Sequence, residues 1–345
     1  MRIFGLHSQR RSLATLALLL LILAVLISLP YVFPLLFPAA TANIFVLYRL
    51  LDVLILANIW AVLAMSWDFL GGYAGQISFG HSFFFGLGGY TSAVASVLLG
   101  WSPWLVVGLG GVVAAVGGLV VAAPALRLHG PYLSLITLAA ALGLDRLMRI
   151  IKWELGTPGA EGAILCTPAC LISYKPLEKY YYALALMVLS FLVLSWLARS
   201  RIGLTLEAIR DDEEATQAAG IHTAKYKTLA FAISGFFAGI SGAFYVYHIG
   251  SASPSSLLNL ERSIEAIIAS VLGGMGTIVG PIFGAYFFIV TQEYLRFLQN
   301  WRFFALFLLA LLVLFFVPRG VLTELQRRVS QWIRWARSKK DAQKV

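Results

Sequence analysis

Long apolar runs without a charged side chain dominate the chain. Asp, Glu, Lys and Arg are absent from Ser12–Tyr48, Phe69–Leu126, Thr228–Leu260 and Ala266–Gln292. Helices cross the hydrocarbon core of a bilayer when about 18 or more consecutive residues are apolar. The strands of a membrane β-barrel would instead alternate apolar and polar positions, which these runs do not. The pattern therefore predicts an all-α polytopic membrane protein.

The same pattern predicts about ten transmembrane helices. The candidate spans are Leu13–Phe37, Phe45–Leu70, Gln76–Leu98, Trp104–Leu126, Pro131–Ile151, Tyr181–Ala198, Thr228–His248, Ser263–Met275, Gly280–Phe297 and Phe303–Val317. An even number of spans returns the chain to its starting side. Ser263–Met275 is the shortest, with a rise of about 20 Å against a hydrocarbon core of about 30 Å. It either extends towards Glu261 or forms a re-entrant half-helix.

Composition and charge agree with this class and orient the chain. Apolar residues make up 60% and charged residues 12% of the sequence, whereas soluble proteins carry about 25% charged residues. Most of the net charge of +10 comes from Arg2, Arg10 and Arg11 and from the tail after Val317. Lys/Arg-rich ends stay in the cytoplasm. Because the basic tail directly follows an apolar segment, membrane lipids are a better partner than nucleic acid.

These observations divide the chain into three parts. The parts are a basic cytoplasmic N-terminal tail (1–12), a transmembrane domain (13–318) with a cytoplasmic loop (199–227), and a basic cytoplasmic C-terminal tail (319–345). The predicted outer loop 152–179 holds both cysteines, Cys166 and Cys170, as either a disulfide or two free thiols.

Gly71–Tyr90 combines many glycines with polar side chains. Glycine at this density fits one unbroken helix poorly. Gln76, Ser78 and His81 would lie at membrane depth, where a polar group facing lipid is costly, so they must face protein or a wet cavity. The segment either serves close helix packing alone or also borders the path of a polar solute.

A second glycine- and proline-interrupted segment, Leu272–Gly284, lies in the other half of the chain. Paired broken helices indicate a pathway near the membrane midplane, because freed backbone groups and half-helix ends can contact a solute. Half-helix N-termini favour a carboxylate. The candidate pathway residues are Gly75, Gln76, Ser78, Gly80, His81, Gly273, Gly274, Gly276 and Pro281.

The polar loop 199–227 carries helix signals. Asp211 followed three residues later by Glu214 fits a capping box, and Gly220 can end a helix in the left-handed conformation. The loop is long for a connection between spans, and long ordered loops tend to be functional. We therefore favour a docking helix for a soluble partner over an ordinary solvated loop.

Four motifs, in this order, resemble the permeases of branched-chain amino acid ABC importers, of the LivM type. They are GGYAGQISFGHSFFFGLGGYTS from Gly71, RLHGPYLSLITLA from Arg127, SRIGLTLEAIRDDEEATQAAGI from Ser200, and SVLGGMGTIVGPIFGA from Ser270. The resemblance covers roughly Asp52–Glu293 and is specific at the family level.

This resemblance implies a type II-like permease bundle in the bacterial inner membrane. The implied partners are a second, similar permease, two cytoplasmic ATPases and a periplasmic solute-binding protein. The loop would dock into a groove of an ATPase through Arg201, Gly203, Arg210, Asp211, Glu214, Ala215 and Gly220. Thr216 departs from the family pattern, since many of these permeases have Ala there.

The resemblance also suggests which substrates are transported and where ATP binds. Family substrates are Leu, Ile and Val, while related permeases import urea, short amides or other amino acids. The chain has no Gly-x-x-x-x-Gly-Lys-Ser/Thr loop for ATP phosphates. We therefore expect no cofactor in this chain, and ATP with Mg²⁺ on the partner ATPases.

An ion-coupled secondary transporter is the main rival interpretation. Carboxylates in or near spans are functional candidates by default, and here they are Asp52, Asp68, Asp145, Glu265 and Glu293. Three of them have an arginine about one helical turn away, which favours local pairing: Asp52 with Arg49, Asp145 with Arg149, and Glu265 with Arg262. We expect Asp68 and Glu293 in solvent near span ends.

A membrane enzyme built on His81 with Ser78 or Ser82 is a weaker rival. No carboxylate at helical spacing orients the histidine, as nucleophilic catalysis would require. The remaining histidines show no spacing of metal ligands, so no metal site is expected.

Overall fold

The computed structural model describes residues 23–32, 44–125, 131–151, 164–165, 175–317, 320 and 324. The predicted N-terminal tail, nearly all of the C-terminal tail, both ends of the first predicted span and the two cysteines lie outside the described residues.

The described residues are mostly helical. The first helices are α1 (Leu23–Val32), α2 (Ile44–Asp68), α3 (His81–Leu99), α4 (Pro103–Ala125), α5 (Pro131–Ile150) and α6 (Pro176–Arg199). The others are α7 (Arg201–Asp211), α8 (Glu213–Ala218), α9 (Thr223–Ile249), α10 (Pro254–Leu257), α11 (Leu260–Gly273), α12 (Val279–Tyr294) and α13 (Arg302–Phe316). A π-helical turn, Phe69–Tyr73, continues α2, and a 3₁₀ helix, Leu295–Trp301, joins α12 to α13. The strands β1 (Ile164–Leu165) and β2 (Ser251–Ala252) pair antiparallel.

Five helices are long and apolar enough to cross a membrane. They are Phe45–Tyr73, His81–Leu99, Pro103–Pro124, Pro176–Arg199 and Thr223–Ile249. Two further apolar helices, Leu23–Val32 and Arg302–Val313, are shorter. These helices are those of an all-α membrane protein, while the total of about ten spans stays a prediction.

The weakest predicted span is the helix α11. Asn259 caps it, because its side-chain oxygen accepts a hydrogen bond from the Glu261 N–H at 3.2 Å. The helix therefore extends past Glu261 and rises about 21 Å. A Cβ at Gly273 would lie 1.7 Å from the Gly280 carbonyl oxygen, and one at Gly284 would lie 1.8 Å from that of Ala269. α11 and α12 thus form a hairpin with backbone in contact with backbone.

Glycines also bring α3, α4 and α9 together. A Cβ at Gly88 would lie 2.2 Å from the Gly239 carbonyl oxygen, and one at Gly110 would lie 2.8 Å from that of Gly88. Small residues allow such close approach between membrane helices, where dispersion contacts replace the hydrophobic effect as the main attraction. These three helices form one tightly packed block.

α2 lies at the centre of the described helices. It packs against α6, α9, α11 and α12, and its residues from Ala57 to Leu70 are all buried. A helix that is apolar on every side is typical of such a buried position.

Two of the three predicted ion pairs are confirmed. Arg149 binds Asp145 at 3.0 Å, and Arg262 Nη1 binds Glu265 Oε2 at 2.9 Å. The third predicted pair, Asp52 with Arg49, is wrong. Arg49 pairs with Glu293 instead, because α12 packs on α2. Asp52 instead lies 2.8 Å from His248 on α9.

Candidate functional site

The α7–α8 segment (Arg201–Ala218) begins with a sharp corner after α6. The Ser200 hydroxyl accepts a hydrogen bond from the Ile202 N–H at 3.2 Å and so caps α7. A Cβ at Gly203 would lie 2.0 Å from the Ala198 carbonyl oxygen. The corner therefore requires glycine at this position.

α7 has one buried and one exposed face. Gly203, Leu206 and Ile209 recur every three residues and are buried. Arg201 and Leu204 are exposed. Because residues three apart share a helix face, α7 packs on the protein with one side and leaves the other available to a partner.

Asp212, and not Asp211, caps α8. Its Oδ1 accepts a hydrogen bond from the Ala215 N–H at 2.9 Å. The prediction that Asp211 caps this helix is wrong, because Asp211 is the last residue of α7 and lies 3.2 Å from Arg210. Glu214 and Ala215 are exposed in the first turn of α8.

Thr216 joins α8 to α7. Its buried hydroxyl lies 2.7 Å from the Asp212 carbonyl oxygen and 3.0 Å from that of Ala208. An alanine could make neither contact, so the departure from the family pattern has a structural use here. Gly220 follows α8 with φ +83°, in the left-handed region that glycine tolerates best.

α8 is also tied to the first turns of α9. Glu213 forms an ion pair with Lys227, whose side chain is only 7% exposed. Gln217 Nε2 donates to Thr223 Oγ1 at 2.8 Å, and that hydroxyl donates to Glu213 Oε1 at 3.2 Å. The α7–α8 segment is thus an ordered, anchored element rather than a loose loop.

Asp68 does not lie in solvent, as the sequence analysis expected, but is fully buried. Its Oδ1 accepts a hydrogen bond from the Gly276 N–H at 2.7 Å, and its Oδ2 accepts a longer one from the Ile278 N–H at 3.4 Å. These residues belong to the turn Gly274–Ile278 between α11 and α12, which has positive φ at three positions. The carboxylate satisfies N–H groups that the turn leaves free.

Arg210, in the last turn of α7, contacts the π-helical turn that follows Asp68. Its Nη1 donates to the Gly72 carbonyl oxygen at 2.6 Å. A Cβ at Gly75 would lie 2.8 Å from Arg210 Cγ, so glycine is needed for this approach. A Cβ at Gly276 would lie 3.4 Å from Arg210 Nη1. Arg210 therefore lies against both glycine-rich segments.

The chain is not helical between Tyr73 and His81. Side chains of α5 bind the backbone of this break. Ser134 Oγ donates to the Ile77 carbonyl oxygen at 2.7 Å, and the Phe79 N–H donates to Thr137 Oγ1 at 3.2 Å. Backbone N–H and C=O groups outside regular helices require such partners when they are buried.

His81 and Ser78 are buried within the protein. His81 Nε2 lies 2.8 Å from Ser234 Oγ on α9, and that hydroxyl donates to the Ser66 carbonyl oxygen at 2.7 Å. Ser78 Oγ accepts from the Gly80 N–H at 3.2 Å. The contacts of His81 join α2, α3 and α9, whereas that of Ser78 lies within the break.

The second glycine-rich segment spans the tip of the α11–α12 hairpin. Gly273 ends α11, and Gly274 and Gly276 lie in the turn with φ of +118° and +73°. Pro281 lies in the first turn of α12, where its missing N–H has no helical partner to lose.

A cavity of about 260 Å³ lies between the break and the α7–α8 segment. Its lining includes Gly75, Gln76, Ile209, Arg210, Asp211, Asp212 and Lys227. The structure thus brings Gly75 and Gln76 of the predicted pathway set together with Arg210 and Asp211 of the predicted coupling set. The sequence analysis named Asp68 but placed it in solvent, because its partners Gly276 and Ile278 are distant in the chain. It did not single out Lys227, whose partner Glu213 is 14 residues away.

No metal centre is found in the described part of the chain. Among its residues, no group of three or more His, Cys, Asp or Glu side chains could hold a metal ion.

Comparison with known proteins finds a family of transport proteins. Residues 49–316 match the family model described as branched-chain amino acid transport system, permease component. The LivM high-affinity branched-chain amino acid permeases of Escherichia coli (strain K12) and Salmonella typhimurium are each 29% identical over 300 residues, which covers 79% of this chain and 69% of theirs. No solved structure matches.

A more partial similarity links the chain to the autoinducer 2 import permease LsrC. The protein of Yersinia pestis (strain Pestoides F) is 31% identical over 172 residues, which covers 48% of this chain and 46% of that one. All these relatives are permeases and not enzymes. With a family match that covers most of its length, the chain belongs to the permease components of branched-chain amino acid transport systems.

Proposed function

We propose that this chain is one of two permeases in an ATP-driven importer of branched-chain amino acids. Its helices form part of the translocation path in the bacterial inner membrane. A similar second permease completes the path, a periplasmic solute-binding protein delivers the substrate, and two cytoplasmic ATPases bind ATP and Mg²⁺.

The α7–α8 segment carries this proposal. It is built as two short helices, held by Thr216 and by the Glu213–Lys227 ion pair, with a charged face left exposed. A mere connection between spans has no need for this many specific contacts. An ordered, exposed helix pair is suited to docking on a soluble partner that drives the cycle.

Similarity supports the substrate class. The two LivM proteins, whose names give high-affinity transport of branched-chain amino acids, align with 79% of the chain. The LsrC proteins, whose names give autoinducer 2, align with less than half. Apolar amino acids are therefore the substrates that we propose, ahead of urea or short amides.

The carboxylates argue against ion coupling. An ion-binding carboxylate would need freedom to take up and release its ion. Asp145, Glu265 and Glu293 each have an arginine partner, and Asp68 accepts hydrogen bonds from the backbone. Asp52, the fifth candidate, lies 2.8 Å from His248. Each of the five therefore has a partner within the protein.

The cycle that we propose follows from these parts. ATP binding closes the two ATPases, the α7–α8 segments move with them, and the helix bundles rock so that a midplane cavity opens to alternate sides. The glycine-rich segments Gly71–Tyr90 and Gly273–Gly284 line or hinge this cavity. Both termini lie in the cytoplasm next to anionic lipids, after about ten spans.

Uptake by membrane vesicles tests the proposal. Vesicles that contain this chain with its partners receive radiolabelled leucine or urea, with or without internal ATP, and with or without a protonophore. We expect leucine uptake that requires ATP and persists with the protonophore. Uptake that the protonophore abolishes despite internal ATP would show ion coupling, and transport of urea in place of leucine would exclude the substrate class.

Glu214 provides a test of docking. It is exposed, so Glu214→Ala acts on a partner rather than on the fold. We expect insertion at the normal level with ATP hydrolysis no longer coupled to uptake. Lys225→Ala, an exposed charge on the first turn of α9, is the matched control, and equal uptake in both variants would argue against docking at α8.

A further inference from the structure

Three separate parts of the chain meet at the end of α2. They are the π-helical turn at Gly72, the turn Gly274–Ile278 of the α11–α12 hairpin, and the last turn of α7. Two side chains, Asp68 and Arg210, hold them together. We call this set of contacts the Asp68–Arg210 bridge.

Gly72 lies at the centre of the bridge. A Cβ there would lie 2.3 Å from Asp68 Oδ1 and 2.6 Å from the Gly276 backbone nitrogen. Only a residue without a side chain fits between the carboxylate and the turn. The carbonyl oxygen of this same glycine accepts the hydrogen bond from Arg210 Nη1.

The bridge consists of two sets of polar contacts that the backbone from Asp68 to Gly72 joins. It runs from the Arg210 guanidinium to Gly72, and from the neighbouring Asp68 carboxylate to the N–H groups of Gly276 and Ile278. Hydrogen bonds that involve a charged group are about twice as strong as neutral ones. Because Asp68 is fully buried, water does not compete for its contacts.

The rest of α7 offers no equal connection to the glycine-rich segments. Its buried side chains, Leu206 and Ile209, are apolar, and apolar contacts are not directional. Transmission of a movement requires an element that shifts as a unit between two arrangements. The directional contacts of the bridge hold the last turn of α7, the end of α2 and the turn Gly274–Ile278 in one fixed arrangement.

We propose that Arg210 and Asp68 are positioning residues that transmit the movement of the α7–α8 segment to both glycine-rich segments. When α7 moves, Arg210 displaces the end of α2 at Gly72, and Asp68 carries the turn Gly274–Ile278 with it. The tip of the hairpin and the break after Tyr73 then shift together. This inference rests on the proposed function, since it assumes that a partner moves α7.

The first test measures the leucine transported per ATP hydrolysed by the reconstituted complex. We expect Arg210→Ala to lower this ratio about fivefold or more while ATP hydrolysis continues. Arg210→Lys should restore part of the ratio, because lysine can still donate one hydrogen bond to the Gly72 carbonyl. Asp68→Asn should lower it as well, since the amide has one acceptor oxygen for two N–H donors of the turn and lacks the negative charge.

Arg146→Ala is the matched control. Arg146 is an exposed arginine on α5, and its loss should leave the ratio unchanged. A normal ratio in Arg210→Ala would overturn the inference, even if Asp68→Asn fails to fold. In that case ATP-driven uptake by the unmodified complex would still support the proposed function, whereas uptake without ATP would overturn both.

A second test measures movement directly. Spin labels are attached to Leu204→Cys on α7 and Met275→Cys on the turn, both exposed positions, after Cys166 and Cys170 are replaced by Ser. We expect the distance between the labels to stay constant on ATP binding in the parent protein and to change in Arg210→Ala. Identical responses in the two proteins would overturn the inference.

Discussion

At the scale of single residues, glycine decides where helices touch. Gly242 on α9 shows this most clearly, because a Cβ there would lie 1.9 Å from the Phe85 carbonyl oxygen of α3. Gly108 on α4 has no atom within 4 Å of the same position. The sequence shows two similar glycines in apolar helices, and only the structure separates the one that packs from the one that does not.

We predict opposite effects for Gly242→Ala and Gly108→Ala. The first forces backbone apart and should lower the free energy of unfolding by about 1–3 kcal/mol. The second removes a flexible residue from a helix without a clash and should raise it by about 0.5 kcal/mol. Thermal unfolding in detergent measures both, and a stable Gly242→Ala protein would contradict the close packing of α3 and α9.

The Arg262–Glu265 ion pair supplies a second prediction at this scale. Glu265 Oε2 accepts from Trp60 Nε1 and from Arg262 Nη1, each at 2.9 Å, and the guanidinium lies 5.0 Å from the Trp60 ring centre. We expect Glu265→Gln to lower the free energy of unfolding by about 3 kcal/mol, because it removes the charge that pairs with Arg262, whose side chain is only 20% exposed.

The double variant Arg262→Met, Glu265→Met is the control for that prediction. It removes both charges, so we expect most of the stability to return. Thermal unfolding and leucine uptake are measured on the same preparations. A Glu265→Gln protein that unfolds normally but no longer transports would instead place this carboxylate in the transport path.

At the scale of elements, the sequence predicts helices better than it predicts their contacts. Apolar runs predicted the five long membrane helices, because burial in lipid demands a continuous apolar surface. Capping signals predicted a helix in the 199–227 loop but placed its start at Asp211, since two adjacent aspartates offer the same chemistry. Only the end of α7 shows that Asp212 is the cap.

We predict that Asp212→Ala loosens α8. Loss of an N-cap costs about 1 kcal/mol of helix stability. The fraction of molecules in which α8 is unfolded then becomes roughly fivefold larger. Hydrogen–deuterium exchange of residues 213–218 should rise by that factor. Asp211→Ala should change it less, and equal effects of the two substitutions would contradict the cap assignment.

The Asp68–Arg210 bridge was beyond sequence reasoning for a physical reason. Asp68 lies at the end of an apolar run, where a carboxylate normally reaches water. Its partners, Gly276 and Ile278, offer backbone N–H groups, and backbone groups leave no mark in a sequence. Tertiary contacts of this kind join residues more than 200 positions apart.

At the scale of the whole molecule, α2 ends and α3 begins beside the α7–α8 segment, because Arg210 contacts Gly72 and lines a cavity with Gly75 and Gln76. The turn between α3 and α4, at Gly100, and the α7–α8 segment therefore lie at opposite ends of the bundle. If the basic tails are cytoplasmic, the α7–α8 segment is cytoplasmic too and the Gly100 turn faces the periplasm.

Thiol labelling tests this orientation. In a protein whose Cys166 and Cys170 are replaced by Ser, we predict that a membrane-impermeant reagent labels Ser102→Cys in intact spheroplasts. Lys225→Cys should react only after the membrane is opened. The reverse pattern would show that the chain is inserted the other way round and that the ATPases cannot reach α8.

The glycine contacts within α3, α4 and α9 and within the α11–α12 hairpin have a mechanical consequence. Helices whose backbones touch cannot slide past one another without collision, so each group behaves as a rigid body. α2 lies between the two bodies and packs against members of both. We therefore expect a rearrangement between these two bodies to be a hinge motion about α2, and substitutions along that helix to alter the speed of transport without altering the shape of either body.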